Sequence, residues 1–340
     1  MSQLVGRHIV RQQLVQRLST GQFCSGEQLA TELGLSRTAV WKHIASLRTC
    51  GLVIDAVRGK GYRMTSGIEL LDRERINAAI SAKSRDLLDD LLLFPTLKST
   101  NDYLLQHTGS SLRQVVIAEQ QTAGRGRQGR PWLAPFGSIT LSLSWRFQRS
   151  AAAMSGLTLA LAIAVIRAIE AGCASLGNDA GVSVKWPNDI VVADKKLAGI
   201  LVEMHGEAHG PVDIVMGVGV NVNLPSDIQQ RINQPATDIK TVFARVPSRN
   251  QLAADLISEM VETCQHFDEY GFSVFKESWS KRDQSCNKPV ALRLGENLHK
   301  GISQGVDETG ALLLLQGDTV RAFHSGELEL GKIKHSHFQS

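Results

Sequence analysis

The segment Gly124-Arg125-Gly126-Arg127-Gln128-Gly129-Arg130-Pro131-Trp132 restricts what this chain can build more than any other stretch. Glycine admits positive φ and lets backbone approach a ligand closely. Arginine carries a permanent charge on a rigid fork of donors that matches carboxylate and phosphate oxygens. Three such charges in a short loop repel one another unless anions lie among them. The segment is therefore expected to be an anion-binding loop, with a solvated basic turn as the plainer alternative. Its glycines also match G-x-G-x-x-G. That fingerprint needs a helix opening at the glycines and an acid about 20 residues further on. Here Pro131 and Pro135 follow instead, and no Asp or Glu occurs between Glu119 and Glu170. A dinucleotide fold is set aside.

The flanks of the loop read as strands. Val115 to Glu119 enters it. Beyond it Ile139, Leu141, Leu143 and Trp145 alternate with Ser138, Thr140, Ser142 and Ser144, the period-2 pattern of a half-buried strand. The loop thus joins two neighbouring strands or caps the end of a sheet. Residues 157–169 are apolar nearly all round and predict a buried helix. A strand is expected over 91–96, followed by Ser99-Thr100-Asn101-Asp102. This polar quartet either caps a helix or supplies the convergent polar groups of a small-molecule pocket. Lys185-Trp186-Pro187-Asn188-Asp189 sits at a bend between strand-like residues 182–184 and 190–192, because Pro187 ends ladder pairing. The run Lys195 to Glu203 turns into another strand. In 213–223, Ile214, Met216, Val218, Val220 and Val222 face one way, and Gly217, Gly219 and Asn221 the other. A flat ligand on that side-chain-free strip and a helix packed closely over it are both consistent with the pattern. Arg125, Arg127, Lys185 and Lys196 bring positive charge from three separate stretches. No Ser-His-Asp set, metal-ligand cluster or G-x-x-x-x-G-K-[ST] loop accompanies them.

The net charge of +4 is unevenly placed. Residues 1–64 hold 9 Lys/Arg against 3 Asp/Glu, and the remainder is slightly acidic. A basic segment of this kind suits a polyanion. It reads as three short helices and a hairpin. Leu29, Ala30 and Leu33 mark one helix, Gly34-Leu35 a turn, and Ser36 the cap of the next. Val40, Ile44 and Leu47 recur at the spacing of a buried stripe, so Arg37, Thr38, Trp41 and Lys42 lie outward. Arg58-Gly59-Lys60-Gly61 forms the tip of a wing. Ser36, Arg37, Thr38, Trp41, Lys42, Arg58 and Lys60 are the candidate DNA contacts of a winged helix-turn-helix. A winged helix used for protein contacts is the alternative.

At 340 residues the chain is long enough for two or three domains. The divisions expected are 1–64, a mixed α/β unit over 65–285 after the Thr65-Ser66-Gly67 linker, and a small β unit over 286–340. In the last, short strands near 290–294, 301–303, 311–314 and 320–323 are separated by turn signals. The tail Lys332 to Ser340 is expected to fray. The longest apolar run, 157–166, is too short to cross a bilayer, and residues 1–10 lack a signal-peptide core. Five scattered cysteines without a C-x-x-C pair suit reduced thiols in the cytoplasm.

With the GRGRQGRPW loop, STND, KWPND, KKLAGILVE and the Gly-Val-Gly-Val-Asn strand in this order and spacing, the chain resembles the biotin–protein ligases. With the N-terminal helix-turn-helix it is similar to the bifunctional ligase and biotin operon repressor family over nearly its whole length. The resemblance implies an α+β protein whose central sheet is of the class II synthetase type, with an SH3-like C-terminal cap. It implies biotin, ATP and Mg²⁺ as ligands, with biotin's carboxylate attacking the α-phosphate to give biotinyl-5′-AMP. A lysine of the carboxyl carrier domain of acetyl-CoA carboxylase then takes the biotinyl group. Operator DNA of biotin synthesis genes and a homodimer of the adenylate-bound form are the implied partners, with no membrane. Ser99, Thr100, Asn101 and Gln121 would meet biotin, with Gly126 giving backbone access. Arg125 and Arg127 would hold carboxylate and phosphate, and Lys185 and Lys196 the phosphoryl region. Asn188 and Asp189 would serve nucleotide, Mg²⁺ or the incoming lysine, and Asn221 the adenylate. No protein metal ligands are expected. Asp102 and Pro131 depart from the family pattern at positions that vary. No aromatic occurs between Asn223 and Phe243, where some relatives pack one on adenine, so the adenylate is expected to be held less tightly or by aliphatic contacts. A sensor without ligase activity and a lipoate–protein ligase are the competing readings.

Overall fold

The computed structural model describes residues 10–11, 13–49, 52–64, 68–107, 113–173, 181–205 and 210–330. The expectations for the start of the chain, for Cys50-Gly51, for the linker Thr65-Ser66-Gly67 and for the tail from Lys332 lie outside these residues.

The N-terminal unit has a helix over 13–18, helices Gly26–Leu33 and Arg37–Thr49, and a hairpin of β1 (Ile54–Val57) and β2 (Gly61–Met64). Ser25 accepts from the Gln28 amide while the Gln28 side chain returns to the Ser25 amide, so two orphan donors at the helix start are satisfied. Gly34 ends that helix at φ 64°, a left-handed conformation that costs glycine little. Ser36 caps the next, accepting from the Ala39 amide at 3.1 Å. Val40, Ile44 and Leu47 then bury against Leu14, Leu18, Leu29 and Ile54. Ile68 and Phe136, both outside this unit, complete that core. The winged helix is therefore seated on the loop that leads into the strand after the Gly/Arg segment.

The central sheet has seven strands: β3 (Asp90–Phe94), β4 (Gln114–Ala118), β5 (Ile139–Phe147), β6 (Ser183–Lys185), β7 (Asp189–Val192), β8 (Lys195–His205) and β9 (Val212–Val220). They lie in the order β3-β4-β5-β9-β8-β7-β6, antiparallel except for β3 beside β4. One face carries Leu141, Leu143, Met216, Val218 and Ile200 and packs under helices Leu157–Cys173 and Arg249–Tyr270. The segment Ala151–Cys173 is apolar and long enough to span a bilayer, but most of it is buried in this core. The other face of the sheet is covered by helix Thr100–His107, through Leu104 against Val116 and Val215. The expectation of a half-buried β5 is corrected here. Ser138, Thr140, Ser142 and Ser144 are all buried, because this helix and the Gly/Arg loop close over the polar stripe.

Arg249, at the start of its helix, is fully buried and ion-paired with Glu119 at 2.8 Å. It also donates to the Ser138 carbonyl at 2.7 Å and the Glu69 carbonyl at 2.5 Å. The second oxygen of Glu119 accepts from the Leu71 amide at 2.5 Å. One buried charge pair thus joins the segment that follows the wing, the end of β4 and the start of β5.

The C-terminal residues form strands β10 (Pro289–Leu294), β11 (Asn297–Val306), β12 (Leu312–Gln316), β13 (Thr319–Phe323) and β14 (Glu327–Leu330), in the antiparallel order β13-β12-β11-β10-β14. The sequence reading had no counterpart to β14. Val290, Leu292, Leu312, Leu314 and Leu328 share one continuous core with the central helices and Trp279. The Trp186 indole donates to the Gly310 carbonyl at 3.2 Å, which ties the β6–β7 turn to the same unit.

Candidate active site

Cross-strand register builds the floor of the site. Across β5, β9 and β8 the paired residues run Ser144–Val215–Glu203, then Ser142–Gly217–Leu201, then Thr140–Gly219–Gly199. These rows share the face away from the core helices, because side chains alternate along each strand. The glycine strip is thus a sheet surface without side chains, but the chain's own groups rest on it. A methyl on Gly217 would lie 2.2 Å from Asn101 Oδ1, and one on Gly219 would lie 2.4 Å from the Trp132 indole. The close packing expected of the strip is seen, with side chains of the chain itself on both glycines. A helix end sits over Gly217, and the Trp132 indole packs against Gly219.

A cavity of about 210 Å³ opens on this face. Ser99, Thr100, Asn101, Gln121, Arg125, Gly126, Arg127, Lys185, Asn188, Asp189 and Lys196 all line it. Asn221 does not. It is buried, and its amide donates to the carbonyls of Lys196 at 3.3 Å and Thr237 at 3.1 Å. The polar quartet fills both roles open to it. The Ser99 hydroxyl accepts from the Asp102 amide at 3.3 Å as a cap, while Thr100 and Asn101 turn inward. Gln121 Oε1 accepts from the Thr100 amide at 2.7 Å and its hydroxyl at 3.1 Å. The Ser142 hydroxyl lies 2.6 Å from Thr100 Oγ1 and 2.5 Å from Asn101 Oδ1.

The Gly/Arg loop is largely neutralised by the protein itself. Arg125 pairs with Asp102 and, at 3.0 Å, with Glu203. Arg130 pairs with Glu327 on β14. Arg127 differs. It has no carboxylate partner among the described residues and donates to Asn188 Oδ1 at 3.2 Å. Burial depresses its pKa, with the nearby Asp189 opposing the shift. Lys185 likewise has no ion pair among the described residues, whereas Lys196 Nζ sits 2.7 Å from Asp189 and 5.4 Å from the Trp132 ring centroid. Arg127 and Lys185 are therefore the cations left for an anion entering the cavity. The residues that the sequence reading missed are Ser142, Trp132, Glu203, Glu327 and Glu329. A serine stripe register-matched to a glycine stripe was the available signal for Ser142. Glu203 ends the KKLAGILVE run, which was read only as a strand and motif, and Glu327 and Glu329 belong to no local pattern.

In the N-terminal unit, Ser36, Arg37, Thr38, Trp41, Lys42, Arg58 and Lys60 are all exposed. Trp41, at 58% exposure, stands beside Arg37, Thr38, Arg58 and Gly59 around one open groove between the second long helix and the wing. Arg63 is instead held inside the wing, paired with Asp55 at 2.8 Å.

The sequence matches an HTH domain over residues 10–63, the Biotin/lipoate A/B protein ligase family over 93–221 and a biotin protein ligase C-terminal domain over 285–331. It is 39% identical to the bifunctional ligase/repressor BirA of Salmonella typhimurium, covering 93% of this chain and 96% of that protein. The Bacillus subtilis bifunctional ligase/repressor is 30% identical, with 96% and 100% covered. Among solved structures, the biotin protein ligase from Aquifex aeolicus in complex with biotin and ATP superposes with a TM-score of 0.61 at 27% identity, covering 72% of this chain and 99% of that one.

Proposed function

The chain belongs to the family of bifunctional biotin ligase/repressors, and we propose from this premise the role of each part of its site. The protein is an ATP-dependent biotin–[acetyl-CoA-carboxylase] ligase and a DNA-binding repressor. In the first step a carboxylate oxygen of biotin attacks the α-phosphorus of ATP, and pyrophosphate leaves. In the second, the ε-amine of the carrier lysine attacks the acyl carbon, an amide forms and AMP leaves.

Bringing a carboxylate to a triphosphate opposes like charges by roughly 4 kcal/mol per pair at about 4 Å and an effective dielectric of about 20. Arg127 and Lys185 offset this, and they stabilise the charge that develops as the bond to pyrophosphate breaks. Thr100, Asn101, Gln121 and the backbone of Gly126 orient biotin, with Ser99 capping the helix that carries two of them. Arg125 closes the loop beside them, and closure keeps water from the mixed anhydride. Lys196 borders the phosphoryl region. Asn188 and Asp189 would meet the nucleotide, and since they hold Arg127 and Lys196, Mg²⁺ would take its ligands from phosphate and water. Asn221 acts at one remove, by fixing the backbone of Lys196 and Thr237. The Trp132 ring over the glycines offers an aromatic surface that the stretch after Asn223 lacks.

The observation that carries the reading is the meeting of Arg127 and Lys185, both without acid partners among the described residues, over the polar floor of Thr100, Asn101 and Gln121. Incubation with ATP, Mg²⁺, a carboxyl-carrier domain and labelled biotin is expected to label the carrier. Labelling by lipoate in place of biotin would indicate a lipoate ligase, and no labelling by either would leave a sensor. The protein is placed in the cytoplasm. Because half-sites are read by paired units, the adenylate-bound form is a homodimer on operator DNA. Gel filtration that shows only monomer with biotin and ATP at micromolar protein would sink that part.

A further inference from the structure

Glu203 lies at the outer end of the first row of the site floor, opposite Val215 on β9, and its carboxylate holds two groups from different elements. Oε2 accepts from Asn101 Nδ2 at 2.8 Å. Oε1 accepts from the Arg125 guanidinium at 3.0 Å. Asn101 comes from the helix over the sheet, and Arg125 from the Gly/Arg loop.

A side-chain amide has two ends that differ in chemistry but hardly in shape. An ionised carboxylate only accepts, so the end of Asn101 facing Glu203 is its NH2. Its oxygen then faces Ser142, whose hydroxyl lies 2.5 Å away. Asn101 is only 3% exposed and rests on Gly217, so it has little room to choose another pose. Arg125 is shared in the same way between Glu203 and Asp102. The Gly/Arg loop is thereby held at the site edge by carboxylates of the chain itself.

We propose that Glu203 is a positioning residue of the ligase, which fixes the amide orientation that Asn101 presents to biotin and holds the Gly/Arg loop docked through Arg125. The proposal rests on the ligase reading above for its biotin half, while its docking half rests on the ion pairs of Arg125 alone. Glu203→Gln keeps the size but replaces a double acceptor with a group that can serve only one partner as before. Its KM for biotin is expected to rise about ten- to a hundredfold, the loss of a hydrogen bond to a charged group, with a smaller change in kcat. Trypsin should also cut the ligand-free loop at Arg125 and Arg127 several times faster. Asp102→Asn separates the two effects, since among the hydrogen bonds described the Asp102 carboxylate accepts from Arg125 and not from the Asn101 side chain. It should speed loop cleavage and change the biotin KM much less. Equal KM increases in both variants would overturn the orientation role. Wild-type cleavage rates in Glu203→Gln would overturn the docking role. A variant with a lower melting temperature but unchanged KM and cleavage would reduce Glu203 to a structural residue and overturn both. If the wild type transfers no biotin, the ligase reading fails first, and the cleavage rates still test the docking.

Discussion

Arg249→Met removes one partner of a charge pair that the rest of the protein has sealed from water. The Arg249 and Glu119 side chains are only 2% and 7% exposed. Besides each other they hold the Ser138 and Glu69 carbonyls and the Leu71 amide. Methionine fills much of the arginine's volume, so the loss is electrostatic rather than a cavity. Glu119 would remain buried with a single donor, the Leu71 amide. Breaking a buried pair from one side costs about 3–5 kcal/mol. For a unit of roughly 200 residues that lowers the melting temperature by roughly 6–20 °C. The consequence reaches the site, because Glu119 precedes Gln121, the acceptor for Thr100, by one intervening residue. Thermal unfolding followed by circular dichroism, with biotin titrated into the same variant, would measure both. The double variant Arg249→Met/Glu119→Leu should recover a large part of the stability, since replacing a whole buried pair with apolar groups is near neutral. A single variant within about 1 kcal/mol of wild type would refute the reasoning.

Gly219→Ala should lift Trp132 from the sheet and cost about 1–3 kcal/mol of stability through overpacking. Unchanged melting and unchanged biotin affinity by calorimetry would contradict the packing described. Arg127→Ala should slow adenylate formation on the order of 10²–10³-fold. Arg130→Ala, whose partner is Glu327 at the rim, should slow it less than about tenfold, and equal losses in a pyrophosphate-release assay would remove the distinction drawn between them. Burial alone would raise the pKa of Glu69, but hydrogen bonds from Asn250, Ser248 and the Arg249 amide, with the charge of Arg75, outweigh it and leave the pKa lowered. Its stabilisation is therefore complete above the ordinary glutamate pKa of about 4.3 and is lost as pH falls through the lower folded value. Glu69→Gln should flatten that acid limb of the stability curve, and an unaltered acid limb would show the group to be silent. Arg58→Ala and Lys60→Ala should each reduce the slope of log affinity for duplex DNA against log salt by about 1, which fluorescence anisotropy at several salt concentrations would check.

Much of this was written locally. The stripe Val40, Ile44 and Leu47 and the cap at Ser36 specify the second long helix of the winged unit, because helical period and capping act within one or two turns. The bend at Pro187 and the alternation of β5 and β9 likewise follow from neighbours in the chain. Motif order alone brought the arginines, the lysines and the Ser99–Asp102 quartet together as one site. Tertiary structure decided which of those charges are available. Arg125 and Glu203 are 78 residues apart, and Arg130 and Glu327 are 197 apart. No periodicity links such positions, since a salt bridge needs only that two side chains arrive at one place. The same holds for the burial of the serine stripe on β5, which depends on what packs over it, and for Asn221, whose amide is drawn to two carbonyls rather than to the cavity. The sequence could write the loop's three positive charges; only folding could bring distant carboxylates to two of them and leave Arg127 without an acid partner among the described residues.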